Sequence, residues 1–444
     1  MCNKLENLIT IKKSMEIPVV SNHVPNELFT EYMKTSDHKY RDRLYGLETV
    51  FLGMIFQSLA SDKSEQNTVL FISEYYRNLN EQLSLALSDQ ESEIPKPLPK
   101  KRGRPVKHRI KIQKSKLGKI SLNTASYDEG RHRFPLALAE KIFERVNQEV
   151  QVEQLWKGHK VLIADGSTFI TPDTKELRSY LHPKKEKNPQ PLPIMRIEGL
   201  INLYGGHIED FVLDNYQSSE GKMLKMLYRS IPEGTVLLAD DLYSSYGHIA
   251  YCRSKGVEII TQGKHKREDK ILYENGPNDV VVEWKSGIRP SWFSNEDDLP
   301  EKLQVRRISY ENPKNPKEKI NIYTTLMDVE RYKAVDVLAL YIMRWDIELG
   351  FREIKIVLEM KYLRSKTVDM IKKEVYMALI LYNILRIKFI EILVKNNIDF
   401  FSHGTFIQSN STIRSSEGNY VDKLGRSYAR KSPGRLRRVP FTND

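Results

Sequence analysis

Two aspartates in the chain each follow a short run of apolar residues. Asp165 follows VLIA and Asp240 follows VLLA, so each run predicts a buried strand that ends in a carboxylate. Because the carboxyl ends of parallel strands meet at one edge of a sheet, we expect the two side chains to lie together. Two such carboxylates repel each other unless a cation lies between them, and Mg2+ and Mn2+ prefer oxygen ligands. Either aspartate alone also fits a helix N-cap or a turn.

A third carboxylate, Glu348, belongs to a set of residues with helical spacing. Tyr341, Arg344, Glu348 and Lys355 follow one another at intervals of three, four and seven residues. At about 100° per residue they lie within roughly 60° of one another on one helix face. A surface ladder of ion pairs would share this spacing, although the tyrosine makes that reading less natural. The pattern therefore predicts a helix that adds a third acidic group, flanked by two cations.

The four-residue pattern resembles a known signature. Tyr341-x2-Arg344-x3-Glu348-x6-Lys355 resembles, at every position and spacing, the YREK signature of bacterial insertion-sequence transposases of the DDE superfamily, of the insertion sequence four type. The runs VLIADGSTFITPDT and VLLADDLYSSYGHIAYCRSKGVEIITQGKHKR resemble the first and second Asp regions of that family. RHRFP resembles its R-x-R-x-P lead-in to the catalytic core, and the resemblance covers roughly residues 40 to 400.

Two positions depart from the family pattern. The family usually has Arg after the second Asp, and this chain has Asp241. Asp240 is preferred as the second ligand because it directly ends the strand, and Asp241 stays open as the alternative. The family often has Arg at the end of the next strand, where this chain has Gln262. Its DNA contact would then pass to a cation just after the strand, which is Lys264, His265 or Arg267.

The resemblance implies a reaction and a set of ligands. It implies an RNase H-like core that holds two Mg2+ or Mn2+ ions on the carboxylates Asp165, Asp240 and Glu348. It implies cut-and-paste transposition of double-stranded DNA, in which water cleaves at the terminal inverted repeats. The freed 3′-OH then attacks the opposite strand or the target DNA. Relatives act as dimers with cleavage in trans, so we expect a homodimer on DNA.

The resemblance also assigns contacts to DNA. It places Tyr341, Arg344 and Lys355 at phosphates around the transposon end, where Arg grips two oxygens and Lys acts as a point charge. It predicts that an aromatic residue of a β-rich insertion stacks on a flipped base. Trp292 and Trp284 are the candidates for this stacking, and a packing role is equally open for each.

The composition agrees with a nucleic-acid partner. The 70 Lys and Arg residues exceed the 58 Asp and Glu residues by 12, and such a surplus usually indicates an anionic polymer as partner. Two distant cysteines exclude a disulfide framework and a zinc motif. The N-terminus has no secretory signal pattern. Charged residues interrupt the apolar stretch 375–394, which predicts a buried helix. We therefore expect a cytoplasmic protein with no membrane partner, and the resemblance implies a bacterial protein that is associated with the nucleoid when bound to DNA.

The residue patterns along the chain predict an α/β protein with a mixed sheet, to which further segments are added. Helical periodicity and then a proline ladder predict an N-terminal helical DNA-binding domain at 1–99 and a basic linker at 100–120. We expect the catalytic core that the resemblance implies to comprise 121–263 and 328–396, with a β-rich insertion at 264–327 and a basic tail at 397–444 that we expect to be mobile. In the linker, KRGRP resembles a hook for AT-rich minor grooves through Arg102 and Arg104. A solvated linker with unspecific phosphate contacts is the favoured alternative.

Three functions fit these features. The first is an active transposase. The second is a DNA-binding protein derived from a transposase that has lost catalysis, against which the three intact carboxylates argue. The third is an RNase H-like nuclease without strand transfer, against which the YREK pattern argues.

Overall fold

A computed structural model gives the fold of part of the chain. It describes residues 10, 12, 17–36, 44–91, 122–150, 152, 154–184, 190–263, 269–287, 293, 299–312, 315–347 and 349–396. For 79–80, 82–91, 312, 315–318, 345–347 and 349–350 the description covers the backbone alone. Several predicted site residues lie outside the described residues, as do the linker and the tail: Glu348, Lys264, Arg267, Trp292, Arg102 and Arg104.

The N-terminal part of the described chain is helical, as its periodicity predicts. Pro25 and Pro135 directly precede two of these helices, where a missing N–H breaks no helical hydrogen bond. Val50, Phe51 and Ile55 are buried in one hydrophobic cluster with the long C-terminal helix, so these helices pack directly on the rest of the protein. The helices are α1 (Ile17–His23), α2 (Asn26–Thr35), α3 (Leu47–Leu59), α4 (Glu65–Glu91), α5 (Ala125–Arg133) and α6 (Leu136–Glu149).

A mixed sheet forms the centre of the fold. In the described chain it joins nine strands in the order β3-β2-β1-β4-β5-β9-β8-β7-β6. β1, β2 and β3 pair antiparallel, whereas β4 and β5 run parallel to β1. These orders and directions are those of an RNase H-like core, and they confirm the predicted mixed sheet. The core strands are β1 (Val161–Ile170), β2 (Ile194–Asn202), β3 (Ile208–Asn215), β4 (Val236–Ala239) and β5 (Glu258–Gln262).

The segment predicted as a β-rich insertion continues this sheet. β9 pairs antiparallel with β5, which joins the additional strands to the edge of the core. Trp284 in this segment is 4% exposed and donates from Nε1 to Asp269 Oδ1 at 2.8 Å. The strands are β6 (Lys270–Gly276), β7 (Asp279–Lys285), β8 (Lys302–Asn312) and β9 (Asn315–Thr324).

Helices cover both faces of the sheet, and the alternation of strand residues decides which face each one meets. Val161 and Ile163 of β1 belong to the cluster that also contains residues of α10, α11 and α12. Leu162 and Ala164 belong to the opposite cluster, with residues of α8 and α9. The helices are α7 (Lys175–Leu181), α8 (Glu220–Leu227), α9 (Tyr246–Ser254), α10 (Ala334–Ile347), α11 (Leu349–Val357) and α12 (Val368–Lys395).

The apolar stretch 375–394 lies within α12 and is largely buried, as predicted. Its polar residues have partners in the fold. Asn383 bonds both the N–H and the carbonyl of Ile208, and Arg386 donates to the carbonyl of Gly205 at 2.8 Å. These bonds attach α12 to the turn between β2 and β3. Over the described residues, no helix combines the length and the apolar character needed to cross a bilayer.

Candidate active site

Asp165 lies in the middle of β1, and the prediction that it ends the strand is wrong. β1 continues to Ile170 because β2 pairs with it along its whole second half, through Ile170 opposite Ile194. On the other side, the pairing of β1 with β4 stops at Ile163 opposite Leu238. Asp165 therefore lies just beyond the point where β4 leaves β1, although its own strand goes on.

Asp240 directly follows β4, as predicted, and the register places it level with Asp165. Ile163 and Leu238 are paired and belong to the same hydrophobic cluster. Asp165 comes two residues after Ile163 and Asp240 two residues after Leu238, and in extended backbone residues two apart point to the same face. The two carboxylates therefore face the same side, at the same height, where β1 and β4 separate.

Asp240 also begins the short 3-10 helix Asp241–Tyr243. Its Oδ1 accepts a hydrogen bond from the N–H of Leu242 at 2.8 Å, so the N-cap reading is also correct. Its backbone carbonyl accepts from Thr261 Oγ1 of β5 at 2.6 Å. Asp241 lies one residue further, inside the 3-10 helix, and the carbonyl of Asp241 accepts from Ser244 Oγ. The end of β4 and the N-cap therefore coincide at Asp240, because the cap turns the chain away directly after the strand.

The helix α10 carries Tyr341 and Arg344 toward the second aspartate. The two side chains are buried, at 1% and 3% exposure, and the guanidinium carbon of Arg344 lies 5.4 Å from the centre of the Tyr341 ring. Burial raises the pKa of Tyr341 to about 12, with Arg344 opposing the rise and the charges of Asp240 and Asp241 adding to it. Tyr341 therefore lies within electrostatic reach of the second Asp region.

The helix α11 carries Lys355 to the first aspartate. Lys355 Nζ donates to Ser167 Oγ at 2.7 Å, two residues after Asp165 in β1. Burial lowers the pKa of Lys355, and the nearby charge of Asp165 opposes that shift. Phe351 of the same helix packs into the core, at 2% exposure.

The close contact between α11 and the sheet depends on a glycine. Gly199 of β2 pairs with Asp165, and a Cβ at Gly199 would lie 2.8 Å from Cζ of Phe351. Only a residue without a side chain lets the Phe351 ring approach the sheet at this point. Because cross-strand partners share a face, α11 lies on the same side of the sheet as the carboxylate of Asp165.

Glu348 lies outside the described residues, between α10 and α11. It follows Tyr341 by seven residues and precedes Lys355 by seven. Over the part of the chain that the structure describes, no three His, Cys, Asp or Glu side chains form a group suited to a metal ion. Of the three predicted metal-binding carboxylates, the structure describes Asp165 and Asp240. Their oxygens lie on one face of the sheet, and a hard divalent cation prefers oxygen ligands.

A fourth acidic residue, Glu198, lies on the face of the sheet opposite to the two aspartates, and the sequence prediction missed it. Glu198 of β2 is 0% exposed, and Tyr243 donates to its Oε1 at 2.7 Å. Among the described residues, its other oxygen, Oε2, has no hydrogen-bond partner. Burial raises the pKa of Glu198 well above its usual value, and the charges of Asp165, Glu220 and Asp240 contribute to the rise. The available signal was one acidic residue within the apolar run IMRIEGLIN.

The chain resembles known transposases over this part. Residues 156–384, just over half of the chain, match the model of the transposase DDE domain. The transposase InsG of insertion sequence element IS4 from Escherichia coli K12 is 25% identical over 302 residues, 64% of this chain and 66% of that protein. The putative transposase InsZ of the same organism is 30% identical over 142 residues, 30% of this chain and 47% of that protein. The match spans less than two thirds of either relative.

Among solved structures, a piggyBac transposase synaptic complex with hairpin DNA aligns with a TM-score of 0.41 and 9% identity, covering 96% of this chain and 86% of that one. The Mos1 transposase paired-end complex aligns with a TM-score of 0.17 and 16% identity, covering 53% and 67%. The match to the DDE domain and the two bacterial relatives identify the family: the chain belongs to the DDE transposases, of the bacterial IS4 type.

Proposed function

We propose that this chain is an active DNA transposase, which binds the terminal inverted repeats of its own insertion sequence and then cleaves and joins DNA. The observation that carries the proposal is the placement of Asp165 and Asp240 at one level on one face of the sheet. Membership of the DDE transposase family supports it. Double-stranded DNA is the proposed partner, and a homodimer is the proposed form on DNA.

We assign the metal ligands to Asp165, Asp240 and Glu348. The first two face the same side where β1 and β4 separate. The proposal for Glu348 is supported by its neighbours in the chain, because Tyr341 lies near the second Asp region and Lys355 lies near the first. When bound, two Mg2+ or Mn2+ ions would activate the attacking oxygen and stabilise the leaving oxygen of an in-line displacement.

Asp240 is preferred over Asp241 as the second ligand. The register of β1 and β4 brings Asp240 level with Asp165, and its cap on Leu242 holds the carboxylate at the end of β4. Asp241 follows inside the 3-10 helix. The preference therefore has a geometric basis beyond the apolar run that precedes Asp240.

The residues proposed to contact DNA differ in how deeply their side chains are buried. Lys355 is partly buried beside Asp165, so it can place a positive charge next to a phosphate held at the site. Tyr341 and Arg344 are buried, and phosphate contact would require that α10 expose them. For base stacking we propose Trp292, because Trp284 is packed in the sheet. Further proposed DNA contacts are Lys264, Arg267, Arg102 and Arg104.

The test is a cleavage and joining assay with purified full-length protein. Linear DNA that carries the element's own ends is incubated with Mg2+, and Asp165→Asn serves as the matched variant. The proposal predicts cleavage at the ends by the wild type alone, and strand transfer from a pre-nicked end. Wild-type cleavage no better than that of Asp165→Asn would contradict it.

The same assay separates the two other functions. A non-catalytic DNA-binding protein would bind DNA with a steep salt dependence and would not cleave it in Mg2+. A nuclease would cleave at the ends and would give no joined product from the pre-nicked end.

A further inference from the structure

The hydrogen bond between Glu198 and Tyr243 joins β2, the strand beside the one that carries Asp165, to the short 3-10 helix that follows Asp240. Glu198 belongs to β2 and Tyr243 follows β4, and β1 lies between these strands in the sheet. Glu198 pairs across the strands with Gly166, the residue directly after Asp165. Tyr243 is the last residue of the 3-10 helix whose N-cap is Asp240. The bond therefore spans β1 on the face of the sheet opposite to the one that the two aspartates share.

We propose that Glu198 is a positioning residue that, through Tyr243, holds the carboxylate of Asp240 at a fixed place relative to Asp165. The inference rests on the proposed function, in which both aspartates bind metal. Glu198 and Tyr243 touch neither metal nor DNA in this account; they act through the turn after β4.

The first support is the structure of that turn. Asp240 accepts the N–H of Leu242 through Oδ1, and its backbone carbonyl accepts the N–H of Tyr243 at 3.3 Å. A movement of Tyr243 therefore acts directly on the bond to the carbonyl of Asp240, and through the neighbouring Leu242 on the bond to its carboxylate. The phenol of Tyr243 is 1% exposed, so its hydroxyl is held where Glu198 can reach it.

The second support is the narrow space between Gly166 of β1 and the carboxyl group of Glu198. A Cβ at Gly166 would lie 2.8 Å from Oε2 of Glu198. A side chain at Gly166 would force the carboxyl away from its place, and with it the partner of Tyr243. The glycine next to Asp165 thus leaves room for the residue that anchors Asp240.

The third support is the cost of burying Glu198. A carboxyl group with one oxygen unsatisfied and no exposure is unfavourable compared with an apolar residue of similar size. The bonds described for the guanidinium of Arg196, two residues away in β2, go to Glu220 at 2.6 Å and to the carbonyl of Tyr216 at 2.8 Å, and none of them goes to Glu198. Positions where a fold keeps such a costly group are commonly those with a functional reason.

The test compares Mn2+ binding and stability in variants of the full chain. Tyr243→Phe removes only the hydroxyl, and we expect Mn2+ affinity, measured by titration with electron paramagnetic resonance, to fall roughly 10-fold. Glu198→Gln keeps a carbonyl oxygen that accepts from Tyr243, so we expect it to keep wild-type affinity. Tyr382→Phe is the matched control, because the hydroxyl of Tyr382 also bonds a buried carboxyl group, that of Glu353, at 3.1 Å, and contacts the carbonyl of Gly206 in the turn between β2 and β3.

We expect Tyr382→Phe to lower Tm and to leave Mn2+ affinity unchanged. A second route to the same disruption is Gly166→Ala, whose effect should add little to that of Tyr243→Phe because both act on one bond. Unchanged Mn2+ affinity in both Tyr243→Phe and Gly166→Ala would overturn the inference, as would an equal loss in Tyr382→Phe. A wild-type chain that binds no Mn2+ would contradict the proposed function itself, and the inference would fail with it.

Discussion

Lys355 Nζ lies 2.7 Å from Ser167 Oγ, and this contact joins α11 to β1 two residues beyond Asp165. Lys355 belongs to the predicted pattern of Tyr341, Arg344 and Glu348, so the contact connects that pattern to the first aspartate. The same helix approaches β2 at Gly199, where the missing side chain admits Phe351. The sheet and the helix therefore meet directly at the proposed metal site.

Removing the charge of Lys355 tests its proposed role. We expect Lys355→Met to slow single-turnover cleavage by roughly 10- to 100-fold, the value of one charge-assisted hydrogen bond to the reacting phosphate. Ser167→Ala removes only the partner within the protein and leaves the ammonium in place, so we expect a smaller loss. If both variants lost the same activity, the contact with Ser167 rather than the charge would explain the effect.

The approach of α11 to the sheet gives a second prediction. We expect Gly199→Ala to lower the free energy of unfolding by about 1–3 kcal/mol, because the new methyl group collides with Phe351. Phe351→Leu in the same chain should recover part of the loss by making room. Gly276→Ala is the control, since a Cβ there meets open space. Thermal unfolding measures all four chains, and no recovery in the double variant would contradict the predicted collision.

Glu209 gives a prediction for pH. Burial alone would raise its pKa, but hydrogen bonds and charges from His207 and Lys160 lower the pKa to about 2. Because the folded-state pKa is below the unfolded value, this carboxylate stabilises the fold above about pH 4.5 and loses that effect toward pH 2. We expect Glu209→Gln to destabilise the chain at pH 7 by up to about 3 kcal/mol.

The difference in free energy of unfolding between wild type and Glu209→Gln should shrink as the pH falls from 5 to 2. Urea unfolding at several pH values measures it. A difference that stays constant over this range would show that the ion pair with Lys160, at 2.7 Å, contributes nothing through ionisation.

The apolar runs before Asp165 and Asp240 predicted β1 and β4, and the register of these two strands places Ile163 beside Leu238 in one hydrophobic cluster. The length of β1 was missed, since Gly166, Ser167 and Thr168 interrupt the apolar run and are held in the strand by pairing with β2. The sequence prediction also missed Glu198, whose role depends on a partner 45 residues away in the chain. The burial of Tyr341 and Arg344 depends on how α10 packs, which helical spacing alone does not state.

The central claim is that Asp165, Asp240 and Glu348 bind the catalytic metal ions. The most direct measurement is the single-turnover cleavage rate in Mg2+ of Asp165→Asn, Asp240→Asn and Glu348→Gln, on DNA with the element's own ends. Asp241→Asn is the matched control, and each variant must bind that DNA as wild type does. We expect the three ligand variants to lose more than about 100-fold in rate and Asp241→Asn to stay active. An active Glu348→Gln, or an inactive Asp241→Asn beside an active Asp240→Asn, would contradict the account.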